Sequence, residues 1–190
     1  MPGQYQIMRA IQEGLDGLKG TQIDDRTGAV LTKLCEIGKE DFGFQVGADS
    51  SKVDETKRDW GEWLYDVTWL EYGDGRVVEA PFVAECEWGN LEKITEDFDK
   101  LLLARSGVRL MICEGNRKRS SNRTSTITEE LARRVREFNG SRTEDAWLLA
   151  IYEDNRDDLP KGSEVKHWWF RYFTIGKYSR TGLNGLDCFP

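Results

Sequence analysis

An α/β fold, a mixed β-sheet with helices on both faces, is what this chain predicts, and three observations carry the prediction. Apolar residues recur at helical spacing in three stretches and a fourth helix is marked by a Thr start, whereas six shorter runs have the composition of strands. The two kinds alternate as helices, strands, helix, strand, helix, strands, the order of a mixed sheet rather than of a bundle or a sandwich. With 190 residues and no long Pro/Ser linker, one domain over residues 1 to 190 with a sizeable core is expected. Seven Trp, eight Phe and six Tyr supply bulky material for that core.

Residues 4 to 19 and 28 to 39 place Ile7, Ile11, Leu15 and Leu18, then Val30, Leu31, Leu34 and Ile37, along one stripe each, and Gly20 with a polar turn separates them. Residues 42 to 48 read as a short strand that opens a core of about 42 to 113, and 49 to 59 as a loop or frayed helix. Two longer strands follow at 62 to 72 and from 77 onward. Gly73-Asp74-Gly75 between them is turn chemistry, so they should pair as an antiparallel hairpin. A helix at 90 to 105 has Asn90 as N-cap and Leu91, Ile94, Phe98, Leu101 and Leu102 on one face. Residues 108 to 113 form a buried strand. A helix starting at Thr124 or Thr126 runs to Phe138, and strands at 145 to 152 and 165 to 175 complete the chain.

Within this frame one stretch stands out for its chemistry. Ala84-Glu85-Cys86-Glu87-Trp88 puts two carboxylates two residues apart at the end of an apolar run. Alternate residues of a strand share a face, so Glu85 and Glu87 stand side by side and Cys86 points away. Neighbouring carboxylates repel, and on a partly buried strand a hard divalent cation is the commonest compensation; on an exposed edge, solvent alone suffices. Asp66, the one internal charge between Tyr65 and Val67, suits a strand poorly and can be brought by the hairpin toward the two glutamates.

The order Asp66, strand, Glu85-X-Glu87, then a helix containing Asp97-Phe98-Asp99-Lys100, resembles the PD-(D/E)XK nuclease superfamily, in the variant whose third-motif lysine is replaced by glutamate. The resemblance covers residues 60 to 113, a little over a quarter of the chain. It implies a restriction-endonuclease-like fold and an endonuclease hydrolysing phosphodiester bonds of DNA with Mg²⁺ or Mn²⁺. Asp66, Glu85 and the Cys86 carbonyl would hold the metal, and Glu87 would join them or deprotonate the attacking water. Two departures accompany it: no proline precedes Asp66, and Glu87 stands where the lysine is usual. Descendants without activity share the second departure, so the alternative is a non-catalytic module of the same fold that binds protein or nucleic acid.

Other features narrow the reading. A net charge of −7 does not suit general phosphate attraction, yet Arg117, Lys118, Arg119 and Arg123 cluster in one Gly/Asn/Ser-rich loop, either a local DNA contact or a solvated loop. Lys93 and Lys100 fall on the outward stripe of their helix, and Glu62 reads as a strand-end surface residue. His167 lies in an aromatic strand and is assigned to packing. Cys35, Cys86, Cys113 and Cys188 form no C-X-X-C pair, which fits reduced thiols in a cytoplasmic protein. No leader pattern opens the chain and no apolar run approaches about 18 residues, so membrane spanning is not expected. A homodimer is compatible with all of this.

Overall fold

The computed structural model describes residues 2–18, 26–115, 122–153 and 168–174. The protein is α/β: a six-stranded mixed sheet flanked by helices, with strands in the order β1-β2-β3-β4-β5-β6. Two compact units make up the chain, Met1–Cys86 with Ala104–Arg109, and Glu87–Leu103 with Leu110–Pro190. The division falls inside a strand, so no linker marks it.

In the first unit, α1 (Gln4–Asp16) buries Ile7, Met8, Ile11 and Leu15, the stripe the spacing predicts. The Gly3 amide donates to the Gln6 side-chain oxygen at 2.9 Å, closing the first turn. Helix α2 (Arg26–Glu36) buries Val30, Leu31, Leu34 and Cys35, and then widens into a π-helical turn over Ile37–Asp41. The reason for a glycine in that turn is Trp69. A Cβ on Gly38 would lie 2.6 Å from the Trp69 indole nitrogen, so only glycine lets the backbone lie against the ring.

Strands β1 (Gln45–Ala48), β2 (Val67–Gly73) and β3 (Arg76–Glu87) form an antiparallel meander. Trp69 on β2 faces Phe82 on β3, with ring centroids 4.3 Å apart, and Phe42 and Phe44 close over the same indole. Such aromatic cross-strand packing holds the register against slippage. The expected turn is confirmed in detail: Asp74 and Gly75 have φ of 51° and 73°, the left-handed pair that a two-residue type I′ hairpin requires. Register shifts between Trp69 and Glu71 place an extra residue on β3, beside Pro81, which has no amide to give to a ladder.

In the second unit, Asn90 caps α3 (Leu91–Leu103) by accepting from the Lys93 amide at 3.0 Å, as the sequence predicts. Ile94, Phe98 and Leu101 are buried; Leu91 and Leu102 are only half-buried. Strand β4 (Val108–Glu114) is buried throughout, as is β5 (Ala146–Tyr152), which pairs antiparallel with β6 (Trp168–Thr174). Helix α4 (Arg123–Glu137) buries Ile127, Leu131 and Val135 and is tied to α3 by Arg134, which donates to Asp99 and Glu130. No helix among the described residues is long and apolar enough to cross a membrane.

Candidate functional site

The β2–β3 hairpin positions the acidic residues. Its register pairs Val67 with Ala84, and the next step of an antiparallel ladder sets Asp66 across from Glu85. Asp66 is not mid-strand, as its composition suggests, but the residue immediately before β2, because the chain reverses at Leu64, whose φ is 69°. The same reversal removes Glu62 from any strand and leaves it exposed. Asp66 is held from two sides: its Oδ2 accepts from the Cys86 amide at 2.8 Å, and its carbonyl accepts from the Asp49 amide at 3.3 Å. Its carboxylate therefore touches β3 at the residue between Glu85 and Glu87.

Glu85 is only 3% exposed. Burial to that extent is unusual for a carboxylate on a strand and sets it apart from a solvated edge residue. Glu87, the last residue of β3, is half-buried, and its Oε1 accepts the Gly89 amide. A Cβ at Gly89 would lie 2.6 Å from that oxygen and 3.1 Å from Lys93 Cδ, so the absent side chain makes room for both. Lys93 is exposed, as the outward stripe of its helix predicts. Lys100 pairs with Asp97 at 2.7 Å on the exposed face, where the helical stripe puts it.

Of the four basic residues, Arg117, Lys118 and Arg119 lie outside the described residues, as does His167. Arg123 begins α4 and donates through Nε to the Glu114 carbonyl at 2.9 Å and through Nη2 to the Gly89 carbonyl. Those two donors are committed to the backbone. In this conformation the residue clamps the chain near β4 and the start of α3 instead of offering its full guanidinium to a phosphate.

Two acidic residues that the sequence reading passes over belong to the second unit. Glu114 ends β4 and Glu153 follows β5, and they are 3% and 5% exposed. Thr124 donates to Glu153, and it reaches it because Gly115 has no Cβ; one there would lie 2.4 Å from the Thr124 hydroxyl. A signal existed: each glutamate terminates an apolar run, the pattern that drew attention to Glu85. Next to Glu114, burial pushes the Cys113 thiol up to about 12, with Arg123 opposing the rise and Glu114 adding to it.

Among the described residues, no group of three or more His, Cys, Asp or Glu side chains is arranged to hold a metal ion. What the hairpin does bring together is the Asp66 carboxylate and the backbone of β3 at Cys86, the residue between Glu85 and Glu87. No family model, curated protein or solved structure matches the chain.

Proposed function

We propose that this protein is a metal-dependent endonuclease that hydrolyses phosphodiester bonds of DNA, with Asp66, Glu85 and Glu87 as its acidic residues. The observation that carries the reading is the 2.8 Å hydrogen bond from the Cys86 amide to Asp66, which fixes one carboxylate against the strand bearing the other two. Support also comes from the burial of Glu85 on the same strand, and from the helix, strands, helix, strand order around the hairpin.

The donor set fits Mg²⁺ or Mn²⁺ in kind. Mg²⁺ is commonly held by one or two carboxylates with water and substrate phosphate completing its shell, so a dedicated cage of three side chains is not required. Asp66, Glu85 and the Cys86 carbonyl would hold it, and when bound it would lower the pKa of a water and offset charge gathering on the scissile phosphate. Asp66 keeps its carboxylate oriented through the Cys86 amide. Glu87, on exchanging the Gly89 amide for a water, accepts that water's proton as general base.

A second reading is favoured by a different observation. The Glu87 carboxylate is folded onto the Gly89 amide, and the described residues hold no three-ligand group. On that reading the protein is a non-catalytic module whose carboxylates shape the end of the hairpin. Plasmid cleavage in Mg²⁺ or Mn²⁺, compared with Asp66→Asn and Glu85→Gln, decides between them. Cleavage by the parent that both substitutions abolish establishes the enzyme, and no cleavage by the parent leaves the module.

A further inference from the structure

The short segment that precedes Asp66 combines two exposed apolar side chains with a left-handed backbone. Trp63 and Leu64 are 48% and 73% exposed, although both are large and apolar. Leu64 has φ of 69°, a left-handed backbone that costs a side-chain-bearing residue energy and recurs where structure is held for function. Trp63 and Tyr65 bridge each other across it, so Leu64 is the apex of a tight reversal. The base of the reversal is anchored, since the Thr68 hydroxyl donates to the Trp63 carbonyl at 3.3 Å and Trp60 bridges to Gly47 on β1. An apolar fingertip is thus held out on a braced stem.

We infer that this fingertip, Trp63 and Leu64, contacts unpaired nucleobases of the strand presented to Asp66, which makes single-stranded or locally opened DNA the substrate class. The inference rests on the nuclease reading of the carboxylates. Leu64 lies two residues from Asp66, so their Cα atoms are at most about 7 Å apart, and the fingertip is within reach of the nucleotides flanking a phosphate held at Asp66. Charge selects which part of that strand it meets. Residues 49 to 66 carry six acidic and three basic side chains, so this surface repels phosphates. Base faces, by contrast, are uncharged and stack on indole or pack on leucine, and a wedge of this kind inserts where bases are already unstacked. A paired duplex would present its phosphates here and hide its base faces.

The test measures binding of a labelled oligothymidine of about twelve nucleotides, and of a duplex of equal length, by fluorescence anisotropy with Ca²⁺ in place of Mg²⁺. The single strand should bind about tenfold more tightly than the duplex, and Trp63→Ala and Leu64→Ala should each weaken it about tenfold while leaving duplex binding unchanged. Leu64→Gly, which suits the left-handed backbone, serves as the variant that removes the side chain without disturbing the turn. Equal affinity for the two DNAs, no binding of either, or no effect of the substitutions would overturn the inference. Cleavage in Mn²⁺ is scored separately. Selective binding without cleavage overturns the nuclease and leaves the base contact standing, whereas cleavage unaffected by the three variants does the reverse.

Discussion

The Cys86 amide donates to Asp66 Oδ2 at 2.8 Å, joining the strand that carries Glu85 and Glu87 to the residue just before β2. Strand edges normally give such an amide to water or to a neighbouring carbonyl. Here a carboxylate takes it, so Asp66 is oriented by the backbone whether or not a cation is present. Asp66→Ala leaves that amide without its acceptor and should cost about 1–3 kcal/mol, whereas Asp66→Asn retains an acceptor oxygen and should cost less. Urea unfolding of the two variants checks this, and equal losses would place the bond outside the stability of the hairpin.

Addition of millimolar Mn²⁺ should raise the melting temperature of the parent, because a ligand bound only by the folded chain stabilises it by mass action, about 2.7 kcal/mol at a hundredfold excess over Kd. Asp66→Asn and Glu85→Gln should abolish the rise. Glu85→Gln should leave the metal-free protein as stable as the parent or slightly more so, since it removes a buried charge. Thermal scans of parent and variants over a series of Mn²⁺ concentrations provide the comparison. A rise that survives both substitutions would locate the metal elsewhere.

Alkaline pH should unfold the protein through its buried thiols. Burial pushes Cys113 from 9.0 up to about 12, and Cys35 likewise. Because the folded value lies above the unfolded one, the stability associated with the neutral thiol is complete below about pH 9 and is lost as pH rises toward 12. For Cys113 the loss approaches about 4 kcal/mol, from roughly 1.4 kcal/mol for each unit between the two values. Denaturant midpoints should hold from pH 8 to about pH 9 and then fall toward pH 11, and Cys113→Ala should flatten the slope even though it lowers the starting stability.

Gly38→Ala should destabilise the first unit by about 1–3 kcal/mol, because its Cβ would fall 2.6 Å from a fully buried Trp69 ring that Phe82, Phe42 and Phe44 already enclose. The near-ultraviolet signal of the tryptophans should change with it. An unperturbed spectrum and midpoint would mean that the π-helical turn can shift to absorb a methyl group.

Leu64→Gly should act in the opposite direction and stabilise the protein by about 1 kcal/mol, since glycine adopts a φ of 69° without the cost borne by leucine. The same chemical denaturation assay measures it. A loss of stability would show that the Leu64 side chain packs in solution.

Much of the architecture was legible from local pattern alone. Helical spacing marks the stripes of α1, α2 and α3, Asn90 announces the start of α3, and Asp74-Gly75 specifies the hairpin, because each depends on residues within a few positions of one another. Tertiary structure alone decided what depends on distant partners. Asp66 falls immediately before β2 rather than mid-strand because the chain reverses at the left-handed Leu64, Gly38 is required by Trp69 thirty-one positions away, and Arg123 turns to the Gly89 and Glu114 carbonyls. Glu114 and Glu153 become buried acidic neighbours of Arg123 and Thr124 only through the folding of β4, β5 and α4. Residue periodicity reports which face an element buries; it does not report which side chain will meet that face, and at the end of a strand that second question decides the chemistry.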